Sequence, residues 1–110
     1  MIEKYYKSLE ENKKFFENAL EIAKEIKERV KKFFKDYKIY IGGSFARNEH
    51  KLNSDLDIII VSPEIPEKMK FDEYFKIISE LCEDERVNIH LLNKDFFERN
   101  KRIYKRLIEV

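Results

Sequence analysis

The fold is decided by residues 38–61, which read KIYIGGSFARNEHKLNSDLDIIIV. Residues 38–41 predict a strand that ends at Gly42-Gly43, the only two glycines in the chain. A short turn of helix is predicted to follow over residues 44–47. Residues 56–61 form an apolar run bounded by Ser62-Pro63, which is typical of a central strand covered on both faces.

A long helical pattern precedes this stretch, over residues 2–37. From Phe16 to Tyr37 the apolar residues recur at spacings of three and four, as they do on one face of a helix. An unbroken helix of this length would span roughly 50 Å, more than a domain of this size is wide. We therefore expect either a break near Asn12 or a projecting end that needs a partner.

Three further elements are predicted after the second strand. Residues 66–84 predict a helix with Pro66 near its first turn, and residues 86–92 alternate as a strand does. Asn93 is a plausible N-cap for a last helix through about residue 109. The residues expected on its packing face are Phe96, Asn100, Ile103 and Leu107. The order of elements indicates a single α/β domain over residues 1–110, with a small sheet and helices packed against it.

Charge and cysteine content limit the kinds of function. Basic and acidic residues number 23 and 22, so the formal net charge is +1 and no broad DNA-binding surface is expected. The single Cys82 excludes an internal disulfide, and its place in the apolar stripe of helix 66–84 indicates a core residue. With no apolar stretch of about 20 residues and a charged N-terminus, we expect no membrane span and a soluble, cytoplasmic protein.

Gly43 and Ser44 are candidate phosphate-binding residues. They lie where a strand gives way to a predicted short helix, and free backbone N–H groups at such a place favour an anion. Glycine allows close approach of a phosphate, and the serine hydroxyl adds a donor. The alternative is an ordinary tight turn with no ligand.

Asp55 and Asp57 are candidate metal ligands. Two residues apart at the start of a strand, they leave the same face with Cα atoms about 6.5–7 Å apart. Two such carboxylates repel each other and resist desolvation, and a divalent cation relieves both effects. The alternative is a solvated strand end, with Asp57 capping or paired with a lysine.

The combination of these two motifs resembles the signature of the nucleotidyltransferase superfamily related to DNA polymerase beta. The closest likeness is its minimal branch, whose pattern is Gly-Ser-x-Ala-Arg-Gly, five residues, then Ser-Asp-x-Asp-Leu/Ile. The chain matches this pattern without a gap at Gly43, Ser44, Ala46, Arg47, Ser54, Asp55, Asp57 and Ile58. The resemblance implies a nucleotidyltransferase fold. This is a mixed three- to four-stranded sheet with packed helices, here with residues 1–37 as the N-terminal helical segment and 38–110 as the catalytic core.

The resemblance also implies a mechanism. The triphosphate of a nucleoside triphosphate lies against Gly43-Ser44, while Asp55 and Asp57 are catalytic and hold Mg²⁺ or Mn²⁺ as an acceptor hydroxyl displaces pyrophosphate. Arg47 is expected to contact either a phosphate or the acceptor. Its alternative role is an ion pair with a nearby acid such as Glu49.

The chain departs from the family pattern at two positions. Asn48 replaces a glycine, and asparagine is the usual substitute where a helix end needs a left-handed residue. Asn88 stands where active members carry a third carboxylate, and an amide is a poor Mg²⁺ ligand and no base. His90, on the same strand face, is either a substitute polar group or a surface or packing residue. Asp95 is expected to begin the last helix instead of joining the site.

Two functional hypotheses follow from this resemblance. One is an enzyme that transfers a nucleoside monophosphate to a hydroxyl of a partner protein or an RNA end. The other is a weak or inactive antitoxin-like binding module that works through protein contact, which Asn88 favours. Minimal members often act beside a helical HEPN protein. In paired aromatics such as Phe33-Phe34, both rings of a pair cannot pack fully against the core. One ring is then available to a second protein chain, and a homodimer is one alternative.

Overall fold

The computed structural model describes residues 17–42, 56–84, 87–104 and 107–110 of the chain. Helix α1 covers residues 17–30 of this described part. The remaining elements are β1 (Lys38–Gly42), β2 (Leu56–Ser62), α2 (Phe71–Leu81), β3 (Val87–Asn93), α3 (Lys94–Arg99) and β4 (Ile108–Glu109). None of the described helices combines the length and apolar composition of a membrane span.

The four strands form one mixed sheet in the order β3-β2-β1-β4. Strand β1 pairs antiparallel with β2 and β4, whereas β2 and β3 run parallel. A parallel pair needs a crossover connection, and α2 lies within the connection from β2 to β3. The predicted α/β class and the small mixed sheet with packed helices are confirmed.

Strand β2 is central and is covered on both faces, as its apolar run predicts. Leu56, Ile58 and Ile60 belong to the larger core cluster, and Ile59 and Val61 belong to a smaller one. Because successive side chains of a strand leave opposite faces, these two clusters lie on opposite sides of the sheet.

The larger cluster is built against the two long helices. Helix α1 contributes residues at helical spacing that are almost fully buried, namely Ala19, Ala23, Ile26 and Val30. Helix α2 contributes Leu81, and its Tyr74 hydroxyl donates a hydrogen bond of 3.0 Å to the backbone oxygen of Ile89. The apolar stripe of α1 therefore packs as the sequence pattern predicts.

The smaller cluster lies under α3 and the segment that follows it. Phe97 is its buried aromatic residue, and its ring stacks on Tyr40 at a centroid distance of 5.5 Å. Tyr104 lies against the other side of this ring, with centroids 5.7 Å apart. Within the described ranges, this face of the sheet is covered by the short helix α3 and the residues that follow it.

The prediction that the first helix continues to residue 37 is wrong, because α1 ends at residue 30. The next residues form a tight turn in which the backbone N–H groups of Phe33 and Phe34 both bond to the oxygen of Val30. The Glu64 carboxylate accepts hydrogen bonds from the N–H groups of Lys35 and Asp36, at 2.7 and 2.9 Å. These bonds stabilise a non-helical reversal that leads into β1. The predicted break near Asn12 lies outside the described residues.

The predicted helix over residues 66–84 is shorter than expected. It begins at Phe71, and Pro66 lies in a turn segment where Ile65 is buried. Phe71 and Phe75 face solvent, at 74% and 53% exposed, with their rings in edge contact. Cys82 is the C-cap residue and packs, partly buried, against the larger cluster. The predicted position of Cys82 against the core is thus correct, although the residue is not fully enclosed.

The prediction of a last helix through residue 109 is wrong in length and face. Asn93 is the N-cap, as predicted, because its side chain accepts from the N–H groups of Asp95 and Phe96. Helix α3 nevertheless ends at Arg99, where the Asn100 side chain donates to the oxygen of Phe96. Phe97 is the residue that α3 buries, whereas Ile103 is 72% exposed. The chain then extends to form β4, which satisfies hydrogen-bonding groups at the edge of β1 that a helix would leave free.

Candidate active site

Asp57 is the second residue of β2 and lies at the end of the sheet where three strands meet. Its Cα partner on β1 is Gly42, and its Cα partner on β3 is Asn88. The antiparallel pair with β1 and the parallel pair with β3 together fix the position of this aspartate. Central strands are the most rigid part of a sheet, so the carboxylate is presented from a well-supported backbone.

The Asp57 side chain leaves the same face as Ile59 and Val61. Those two residues are buried in the smaller cluster, whereas the Asp57 side chain is 34% exposed. The apolar cover of this face therefore ends before Asp57 is reached. A partly hydrated carboxylate avoids most of the desolvation cost of a buried charge, and it is open to a ligand from solvent.

His90 brings a nitrogen to this carboxylate. Its Nε2 atom lies 3.6 Å from Asp57 Oδ1, and its side chain is 51% exposed. This separation is longer than a hydrogen bond. The two groups therefore face each other across a narrow space while both remain accessible to water.

Gly42 permits a close approach of the chain on the other side of Asp57. A Cβ atom at this position would lie 2.9 Å from Ile59 Cδ1 and 3.1 Å from Leu107 Cδ2. Both distances are shorter than ordinary van der Waals contact. Any larger residue here would require the ends of the Ile59 and Leu107 side chains to move.

The structure brings together two of the residues predicted for the site, Asp57 and Asn88, which are directly opposite each other on β2 and β3. The other predicted site residues, Gly43, Ser44, Arg47 and Asp55, lie outside the described residues, and their roles stay predictions. Among the described residues there is no group of three acidic, histidine or cysteine side chains that would hold a metal.

The sequence alone did not predict that His90 and Gly42 lie beside Asp57. For His90 a signal existed, since strand alternation puts it on the same face as Asn88 and a β-α-β order predicts a parallel partner for that strand. For Gly42 the sequence marked only the end of a strand. Its close contact with Leu107 depends on the path of the C-terminal segment, which was expected to be helical.

A large cleft lies elsewhere, between the C-terminal parts of α1 and α2. It measures about 990 Å³ and is lined by side chains of mixed charge, including Arg29, Lys32, Glu80 and Glu83. The Arg29 guanidinium is engaged in a 2.8 Å hydrogen bond to the backbone oxygen of Leu81. Asp57, Asn88 and His90 do not line this cleft, so the candidate site is defined by its side chains instead of by cavity size.

Comparison with known proteins identifies relatives of the chain. The chain is 35% identical over 80 residues to a Methanocaldococcus jannaschii protein named "Putative protein adenylyltransferase", a match that covers 73% of this chain and 84% of that relative. A second protein of that organism, with the same description, is 38% identical over 61 residues, covering 56% and 62% of the two chains.

Solved structures and family models extend this comparison. A crystal structure from Sulfolobus solfataricus, described as a putative nucleotidyltransferase, superposes with a TM-score of 0.71 at 27% identity. The superposition covers 90% of this chain and 85% of that one. The sequence also matches the nucleotidyltransferase domain over residues 23–110, and the chain is therefore a member of the nucleotidyltransferase domain family.

Proposed function

We propose that this protein transfers AMP from ATP to a hydroxyl group on a partner protein, using a divalent cation. The observation that carries the proposal is the placement of Asp57 between Gly42 and Asn88, at an accessible end of the central strand. Membership of the nucleotidyltransferase family supports nucleotidyl transfer in general. The choice of AMP and of a protein acceptor rests on the relatives named as protein adenylyltransferases.

The donor groups fit a hard divalent cation. The described part of the site offers one carboxylate, from Asp57, that is both exposed and held by a central strand. Asp55 is two residues earlier in the chain, and continued strand alternation would put its carboxylate on the same face. Mg²⁺ and Mn²⁺ prefer carboxylate and phosphate oxygens, so these two aspartates together with the triphosphate form a suitable ligand set. When bound, the cation would neutralise charge on the triphosphate and on the leaving pyrophosphate.

Phosphate binding is assigned to the residues that continue from β1. Gly43 and Ser44 follow Gly42 directly in the chain, and Gly42 is the Cα partner of Asp57. A glycine-serine turn at this position would offer backbone N–H groups and a hydroxyl to the β- and γ-phosphates. Arg47 follows within the same segment and is proposed to bind phosphate or the acceptor.

The reaction forms a bond between the acceptor oxygen and the α-phosphorus of ATP. The bond from that phosphorus to the bridging oxygen breaks, and pyrophosphate leaves with the electron pair. The proton of the acceptor hydroxyl ends on solvent, and Asn88 does not accept it because an amide is not a base. Asn88 can still orient an acceptor hydroxyl by hydrogen bonding, since an amide has both donor and acceptor atoms.

Binding and transfer are tested separately. Calorimetry with ATP and Mg²⁺ should detect binding that EDTA abolishes and that Asp57→Asn weakens at least about tenfold, because a charged metal ligand is lost. Asp72→Asn is the matched control, since this aspartate lies in the first turn of α2, away from the site. Binding that is absent, or that Asp57→Asn leaves unchanged, would contradict the proposal.

Transfer is measured with ATP labelled at the α-phosphate, offered to the proteins that copurify with the chain from its source. We expect label that is lost after protease treatment and resists ribonuclease. Label removed by ribonuclease instead would identify an RNA end as the acceptor, and would reject the protein acceptor. A helical HEPN-like protein is the partner we propose to find in the copurified material.

A second candidate function is a binding module with an antitoxin-like role, in which nucleotide transfer is weak or absent. Asn88 favours it, because the family resemblance expects a third carboxylate at this residue, whose Cα partner on β2 is Asp57. The variant Asn88→Asp separates the candidates. If the wild-type chain binds ATP without transferring label and the variant gains transfer, the wild-type chain acts through binding.

A further inference from the structure

We infer that His90 is a nitrogen ligand to the cation held by Asp57, and that it gives this site a preference for Mn²⁺ over Mg²⁺. The inference rests on the proposed function, because it assigns a further ligand to the same metal site. The structure places His90 Nε2 3.6 Å from Asp57 Oδ1.

The separation of these two atoms suits a shared cation. Ligand atoms bound at about 2.1 Å lie about 3.0 Å apart at a right angle and about 3.4 Å apart at a tetrahedral angle. The observed distance exceeds these values by a few tenths of an ångström. Since both side chains are substantially exposed, at 51% and 34%, a small rotation closes this difference without disturbing the core.

The backbone around the pair is fixed by strand pairing. The Cα partner of His90 is Ile59, two residues after Asp57, so the imidazole reaches along the strand towards the carboxylate. Ile59 is buried in the smaller cluster, and Ile89 and Leu91 on either side of His90 are buried in the larger one. The parallel strand pair thus fixes the backbone positions of Asp57 and His90 relative to each other, and each side chain carries a donor atom for a metal.

The chemistry of the two donors determines which cation they favour. Mg²⁺ takes oxygen ligands and binds imidazole poorly, whereas transition metals accept imidazole readily. At the family's third-carboxylate position the chain has the amide of Asn88, which contributes no charge. The imidazole of His90 is therefore the described side chain best able to complete the ligand set of Mn²⁺, which prefers oxygen ligands as Mg²⁺ does but, as a transition metal, accepts an imidazole nitrogen more readily.

The test uses pulsed electron paramagnetic resonance of Mn²⁺ bound to the full chain with inorganic tripolyphosphate. Tripolyphosphate replaces ATP so that no adenine nitrogen contributes to the signal. We expect a coupling to nitrogen that changes when the protein is labelled with ¹⁵N-histidine. His90→Gln should abolish this coupling, weaken Mn²⁺ binding by at least about tenfold and change Mg²⁺ binding by less than about threefold.

The chain has only two histidines, so His50→Gln is the matched control and should retain the coupling. A coupling that survives His90→Gln, or Mn²⁺ binding that depends on Asp57 without any nitrogen coupling, would overturn the inference and leave the proposed function intact. Mn²⁺ binding that does not depend on Asp57 would overturn both. His90→Asp is the second variant: it should lose the coupling and favour Mg²⁺, because an oxygen donor replaces the nitrogen.

Discussion

The two faces of the sheet differ in how they are covered. One face lies against α1 and α2 and carries a large apolar cluster that includes Ile58 and Ile60, both completely buried. Among the described residues, the other face is covered by the six-residue helix α3 and by the segment around Leu107, and its buried hydrophobic residues are Ile59, Val61 and Phe97. Asp57, with its carboxylate near His90, belongs to this second face.

The difference indicates that one face mainly stabilises the fold, whereas the other is available for ligand binding. The well-covered face holds most of the buried hydrophobic residues in the part of the chain that the structure describes, so it contributes most of the hydrophobic stabilisation there. The sparsely covered face leaves the start of β2 accessible, and polar groups there can meet a ligand without being desolvated first. A site at the start of β2 depends on the packing of the other face, because that packing fixes the position of the central strand.

The largest expected effect is a difference between two neighbouring residues of β2. Ile60→Ala should lower the free energy of unfolding by about 4 kcal/mol, because the large cluster cannot collapse around the cavity. Ile59→Ala, on the sparsely covered face, should lower it by about 2–3 kcal/mol, since its neighbours can move into the gap. Urea unfolding followed by circular dichroism measures both. Equal losses would mean that the two faces are packed equally well.

A smaller effect is expected at Gly42. Ala at this position would place a Cβ atom 2.9 Å from Ile59 Cδ1, within the smaller cluster. Ile59 and Leu107 must move aside, and we expect a loss of about 1–3 kcal/mol, as for other overpacked positions. The double variant Gly42→Ala with Ile59→Val removes the methyl group in closest contact, and should regain stability relative to Gly42→Ala alone. No regain would show that the backbone at residue 42 is the source of the loss.

The well-covered face was also the more predictable one. Its apolar residues recur at helical spacing in α1 and form an unbroken run in β2. Both patterns are explained by packing of the apolar face of α1 against the sheet that contains β2. Asp57 was predicted for the site from the Asp-x-Asp motif, and Asn88 from the family resemblance, as the position where a third carboxylate is expected. The structure places them opposite each other because both strands start at the same end of the sheet.

The sparsely covered face could not be predicted in the same way. The pattern Phe96, Asn100, Ile103 and Leu107 fits a helix, yet helix α3 ends at Arg99 and the chain later forms β4. The formation of a strand instead of a helix depends on the free edge of β1. This edge is a feature of the tertiary structure and cannot be recognised from the local sequence. The contact of Leu107 with Gly42 follows from it, and so does the shape of the site beside Asp57.

Asn93 supports the short helix that covers this face. Its Oδ1 accepts from the N–H groups of Asp95 and Phe96, and its Nδ2 donates a 2.7 Å hydrogen bond to the oxygen of Ile65. Asn93→Ala loses the cap and the donor, and should cost about 1–2 kcal/mol of stability. Asn93→Asp keeps the capping oxygen and should retain roughly half of this, as measured by thermal unfolding. An aspartate variant as unstable as the alanine variant would assign the whole effect to the bond with Ile65.

The smallest effect on stability is expected at Asp57, the residue on which the proposed function depends most. Its side chain is 34% exposed and lies beyond hydrogen-bond distance of His90, so the charge makes little net contribution to folding. Asp57→Asn should therefore change the free energy of unfolding by less than about 0.5 kcal/mol, while metal-dependent ATP binding is lost. Unfolding without metal and calorimetry with Mg²⁺ and ATP measure the two properties on the same preparation. A variant that loses binding together with several kcal/mol of stability would place Asp57 in the structural framework, and the open face would then have no separate chemical role.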